Sequence, residues 1–222
     1  MPIVVTGEDI SNLVLATRRP TVLTGSFVAD TGVTQPLPRS MRVDQRSVGI
    51  GGMAMSMGNP GRTEFQLVGM VGPFTIRVQG VPDGWTVKAM LIDGRDVTDE
   101  VVDLNGQDAT LRVVLSDRPS SVMGTVQSRG EPVDDAVIVF PEDQSKWTFP
   151  SRYVRTTRAD RQGRFRIADL PAGERYLATA IESLEDGEQD DALFLQRIRS
   201  RAVSFTLKEG EQRSIYLETI SR

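Results

Sequence analysis

The chain has 222 residues, a formal charge of −4, a sequence pI near 5.1, and neither cysteine nor histidine. Those absences exclude disulfides, thiolate nucleophiles, zinc ribbons and Ser-His chemistry, and basic residues interspersed with acids exclude the concentrated positive face of a nucleic-acid surface. No run of 18 apolar residues is present, so no membrane-spanning helix is expected, and the length suits two ordinary domains.

At the N-terminus, MPIVVTGEDIS lacks the basic segment and long apolar core of a signal peptide. From Thr6 the chain runs TGEDISNLVLATRRPTVLTGSFV, and from Asn105 it runs NGQDATLRVVLSDRPSSVMGTVQ. Glu209 begins a third version, EGEQRSIYLETISR. Each has a Gly-acid/amide turn followed by an apolar strand, and the first two continue through Arg-Pro into a small-residue strand with Gly. A period near 100 residues is one domain per repeat, so the expected units are 1–117 and 118–222, with a third connecting strand cut off at Arg222.

Short apolar runs bounded by Gly, Pro, Asp and Asn predict strands at Asn12–Ala16, Val22–Val28, Met41–Val48, Glu64–Val68, Phe74–Gln79, Thr86–Ile92 and Leu111–Leu115. Residues 49–61, rich in Gly and Met, read as a hairpin or connection. In the second half the predicted strands are Val122–Gln127, Ala136–Phe140, Val154–Arg158, Arg164–Ala168, Arg175–Glu182 and Ala202–Leu207. Phe165 and Ile167 alternate with Arg164 and Arg166, giving one buried and one wet face. One helix is expected over DDALFLQRIRSRA, capped by Asp190 or Asp191, with Ala192, Leu195, Ile198 and Ala202 on one stripe. The fold class is therefore all-β: two tandem antiparallel β-sandwiches, with one short helix in the second.

The second unit resembles the carboxypeptidase regulatory-like family, whose fold is a transthyretin-like, Ig-like β-sandwich. The resemblance rests on GTV at Gly124–Val126, EPVDDAVIV at Glu131–Val139, and TRADRQGRFRIADLPAGERYLATAI at Thr157–Ile181. The first unit keeps Val81-Pro-Asp-Gly-Trp85 where the second has Leu170-Pro-Ala-Gly. PDGW, IDGRDVTDE, a linking strand and a closing FLxxIRxxA helix are together similar to multi-repeat proteins of soil bacteria. The resemblance implies a non-catalytic structural or binding module within a larger exported protein, its export signal lying outside this segment and neighbouring repeats as partners. The family's peptidase chemistry needs zinc-ligating histidine, which this chain lacks.

The aromatic cluster Trp147, Phe149 and Tyr153 is the candidate binding site, because exposed rings on a sandwich loop can stack on a polysaccharide. The competing reading buries these rings against the core or the helix, or offers them to a cell-surface protein. Asp93, Asp96, Asp99, Glu100 and Asp103 form an acidic loop without EF-hand spacing, which reads as a solvated connection rather than a calcium site. Asp134 and Asp135, adjacent on an extended chain, point to opposite faces and cannot act as an acid/base pair. Tyr176 should place its ring in the sandwich and its hydroxyl at the rim, and Trp85 should pack in a core or between units. No catalytic residue, cofactor or metal ligand is expected.

Overall fold

A computed structural model describes residues 19–48, 55–57, 62–147 and 151–220, with the side chains of 55–57 excepted. The predicted strand Asn12–Ala16 lies outside the described residues.

The first half holds β1 (Thr21–Ala29), β2 (Arg42–Ser47), β3 (Met55–Met57), β4 (Glu64–Met70), β5 (Phe74–Gln79), β6 (Thr86–Ile92), β7 (Arg95–Asp96) and β8 (Ala109–Ser116). Six of these form a sheet in the order β3-β4-β1-β8-β6-β7, and β2 pairs with β5. Between the sheet and the pair lies one apolar cluster that includes Leu23, Phe27, Leu67, Phe74, Ile76 and Leu111. Period-2 alternation produces it: Leu23, Gly25 and Phe27 of β1 face inward while Thr24 is exposed.

In the second half run β9 (Ser120–Ser128), β10 (Glu131–Pro132), β11 (Ala136–Pro141), β12 (Arg155–Arg158), β13 (Arg164–Leu170), β14 (Arg175–Ile181), α1 (Ala192–Ile198), β15 (Val203–Thr206) and β16 (Gln212–Ile220). β10, β13 and β16 pair with β9; β11 and β15 pair with β14, and β12 with β11. β16 joins the two groups through two residue pairs at the end of β14. β11 is apolar throughout because both its faces are covered. Val137 and Val139 face the core shared with β9 and β13, whereas Ile138 and Phe140 face a second cluster beneath α1. Asp191 caps α1, its carboxylate accepting from the Leu193 N–H. The helix buries Phe194, Leu195 and Ile198, worth roughly 1.5–3 kcal/mol each relative to exposure. Ala192 stays exposed, so the buried stripe is shifted toward Phe194.

Every strand pairing lies on one side of residues 117–119, and both sides share one frame. β1 runs parallel to β8 and antiparallel to β4; β9 runs parallel to β16 and antiparallel to β13. Gly25 faces Phe65 and Leu111, and Gly124 faces Phe165 and Ile215. In each half the phenylalanine ring covers the glycine: a Cβ on Gly25 would overlap the Phe65 ring, and one on Gly124 would lie 3.0 Å from Phe165 Cε1. In the copy that begins at Asn105, the recurring sequence element is thus a closing strand, β8, joined to the next opening strand, β9. Gln212–Ile220, expected as the start of a further connection, is the strand that completes the second half's sheet. The Pro-x-Gly turns do not lead to equivalent strands. After Trp85, β6 pairs antiparallel with the closing strand β8, whereas after Gly173, β14 pairs chiefly with β11 and β15.

Candidate functional site: the cleft between the halves

Arg152, in the segment before β12, reaches into the first half. Its Nη1 donates to the Val87 carbonyl at 3.0 Å, its Nε lies 3.0 Å from the Asp99 carboxylate, and its Nη2 donates to the Tyr153 hydroxyl at 3.3 Å. The Tyr153 hydroxyl in turn donates to Asp99 at 2.7 Å. Burial and the Asp99 hydrogen bond push the Tyr153 hydroxyl pKa up to about 12, keeping it protonated and able to donate. Burial is the largest single influence and acts to lower the Arg152 pKa, but the Asp99 charge, Tyr153 and the hydrogen bonds to both together raise it overall.

A second network closes the opposite side of the cleft. Lys88 Nζ donates to Asp30 at 2.6 Å and to Glu209 at 3.1 Å; Arg118 Nη2 lies 3.3 Å from Asp30 and 3.1 Å from Glu209. Ser116 Oγ adds a 3.1 Å hydrogen bond to Glu209. Two cations alternate with two anions across the chain's waist. The Lys88 hydrogen bond lowers the Asp30 carboxyl below its ordinary range despite some desolvation, and Asp30 and Glu209 raise the Lys88 amine. Single exposed pairs contribute little, but four mutually bonded groups form a network.

Between these bridges lie two cavities, of about 240 and 550 Å³, both lined by Val87, Arg152 and Pro171. Arg77 of β5 and Arg155 of β12 line the smaller one beside Arg152, with Trp85 and Met90 on its apolar side. Desolvation lowers the Arg77 and Arg155 pKa values, and Arg152 adds like-charge repulsion at both. Asp169 lines the same space. It has φ 58°, at the irregularity where β13 skips a residue opposite β9, and desolvation raises its pKa.

Trp147 is only 4% exposed. Its ring sits edge-on to Phe140 at 5.7 Å within the cluster under α1, and its indole N–H donates to the Pro141 carbonyl at 2.7 Å. Tyr153, 7% exposed, joins the sandwich core and the Arg152 bridge, with Lys146 Nζ 4.8 Å and Arg152 5.2 Å from its ring. Phe149 lies outside the described residues. Trp147 and Tyr153 therefore belong to different clusters and present no common exposed platform, because both rings gain more from core packing than a loop tip offers.

The acidic loop's carboxylates are engaged separately. Asp96 accepts from Thr98, Asp99 from Arg152 and Tyr153, Asp103 from the Asn105 N–H, and Asp93 from the Thr110 N–H. Among the described residues no group of three carboxylates is placed to hold a metal ion. Asp135 is buried and accepts from the Thr219 hydroxyl at 2.6 Å, while exposed Asp134 lies 3.8 Å from Arg158. Tyr176 is buried against Phe205 with its hydroxyl on the Pro171 carbonyl at 2.7 Å. Trp85 is buried in the first core and also borders the cleft. Sequence reasoning missed Arg77, Lys88, Arg152 and Arg155; the one available signal was scarcity, since Lys88 and Lys146 are two of only three lysines in the chain.

No family model matches the chain, and no curated protein matches it. Solved structures that it resembles include the Bacillus anthracis TIE protein, at 12% identity and TM-score 0.30 over 90% of this chain and 34% of that one. The Streptococcal ancillary pilin is similar at 15% identity and TM-score 0.31, over 90% of this chain and 62% of that one. The shaft pilin SpaA from Lactobacillus rhamnosus GG is similar at 11% identity and TM-score 0.33, over 90% and 97%. The chain thus spans about a third and about three fifths of the first two. No helix among the described residues is long and apolar enough to cross a membrane.

Proposed function

We propose that this chain is a non-catalytic pair of β-sandwich units that sets a fixed spacing within a larger exported bacterial protein, with neighbouring repeats as its partners. The observation that carries this reading is the shared frame of the halves, with β1 and β8 matched by β9 and β16. Its support is the pair of polar bridges that ties one half to the other through Arg152 and Lys88. A segment built to hold distance needs both a repeated unit and a stiff junction. Residence outside the cytoplasm, with the export signal in flanking sequence, is part of the same proposal and follows from the resemblance to carboxypeptidase regulatory-like repeats.

The absence of cysteine makes the test direct. Spin labels on Arg112→Cys in β8 and Ser214→Cys in β16 should give one narrow distance distribution by double electron–electron resonance. A broad distribution, as from two beads on a flexible linker, would overturn the spacer reading. Protease accessibility of the full-length protein on intact cells tests the exported location.

A further inference from the structure

We propose that the smaller chamber of the cleft is a binding site for a small organic carboxylate with a flat apolar body. Three guanidinium groups, Arg77 from β5 and Arg152 and Arg155 from the stretch leading into β12, line one cavity of about 240 Å³ in which Asp169 is the only lining carboxylate among the described residues. Arg152 is already matched by Asp99. Arg155 donates from Nη1 to the carbonyls of Ser151 and Val154, and among the described residues no carboxylate lies within ion-pair distance of it. Its Nε and Nη2, half of a fork suited to bidentate carboxylate binding, make no hydrogen bond within the described residues.

Gathering like charges out of water is unfavourable, and at both Arg77 and Arg155 desolvation exceeds the opposing charge of the nearby carboxylate, Asp99 for the first and Asp169 for the second. Asp169 and Arg155 offset one another only in part, because desolvation is the larger influence on each, and Asp169 is held in the left-handed region, a conformation that non-glycine residues adopt at a cost where surroundings impose it. Ligand class follows from the opposite wall. Val78, Val81, Trp85 and Met90 offer an apolar surface that a compact, strongly hydrated phosphate would leave unused. The volume is about eight times the ~30 Å³ share of a liquid water molecule, enough for a ring with one carboxylate. Few convergent charges beside an apolar wall, at the border of two units, is the common composition of small-molecule sites.

This inference does not depend on the spacer reading, and its test uses the whole chain. The Trp85 indole N–H signal is followed by NMR during titration with benzoate and, in parallel, with benzamide, which keeps the ring and lacks the charge. Saturable shifts are expected with benzoate, at least ten-fold weaker with benzamide. Arg155→Met and Arg77→Met should each weaken benzoate at least ten-fold, and Arg155→Lys should fall between wild type and Arg155→Met. Equal binding of benzamide, binding of inorganic phosphate in place of benzoate, or no saturable shift with benzoate would each overturn the proposal. The comparison of benzoate with benzamide on the unmodified chain decides the matter even if a variant fails to fold.

Discussion

Trp147 turns its indole into the cluster beneath α1 and satisfies its N–H on Pro141, so its removal is a packing event. Trp147→Ala should destabilise the second half by about 3–5 kcal/mol in urea unfolding, the usual scale for a buried aromatic truncation. A loss below about 1 kcal/mol would return the ring to the surface role that its place in SKWTFPSRY first suggests. The paired glycines differ in what surrounds them. The three atoms nearest a methyl on Gly25 all belong to the Phe65 side chain, whereas one on Gly124 overlaps the Ile215 backbone oxygen. Gly124→Ala should therefore cost roughly 1–3 kcal/mol or more and Gly25→Ala less, with Phe65→Leu relieving the second but Phe165→Leu failing to relieve the first. Thermal unfolding of the four single and double variants checks this. Gly163 has φ 75° and faces the Val126 carbonyl, so Gly163→Val should cost about 1–3 kcal/mol. The turn role of Gly163 was legible because Asp-x-x-Gly between alternating strands has a local cause. The burial of Trp147 was not, because it is set by a helix 45 residues later.

Strands with period-2 alternation, such as β5, β6 and β13, could be placed from sequence because each encodes its own faces. The two- and three-residue strands β3, β7 and β10 could not, since their pairing is dictated by the partner strand. Nor does any periodicity encode that β8 and β16 lie parallel to the opening strands. The Lys88 network makes its own demand on solution conditions. Asp30, whose pKa is depressed from an ordinary 3.8, stabilises the junction above that value and ceases to do so as pH falls through its lower folded value. Lys88, raised from 10.5, contributes below that value and stops as pH rises through its higher folded one. The distance distribution between the halves should accordingly stay narrow from about pH 4 to 10 and broaden at both extremes, more so for Lys88→Met at neutral pH. An unchanged width at an acidic pH where NMR shows Asp30 protonated, with the sandwiches still folded, would show that this network does not hold the junction. Arg152→Met, which removes three hydrogen bonds, should broaden it at every pH.

At the scale of the whole molecule, the separate apolar clusters either side of residues 117–119 predict that Ser116–Arg222 unfolds cooperatively when expressed alone. Absence of a cooperative thermal transition would defeat the division into two units. The repeat is what suggests that division, but the cleft stayed hidden, because its lining is drawn from separated stretches of both halves and its charged members, Arg77, Arg152 and Arg155 among them, read as solvated surface. One consequence of the shared frame concerns mechanics. Opening and closing strands run parallel and side by side, so the chain enters each half at one end and leaves at the other. Tension along the polypeptide then slides β1 past β8, and β9 past β16, loading seven residue pairs of each ladder together instead of peeling them one by one. Resistance to pulling is a matter of unfolding rate rather than equilibrium stability, and this geometry puts the rate under the control of both ladders at once.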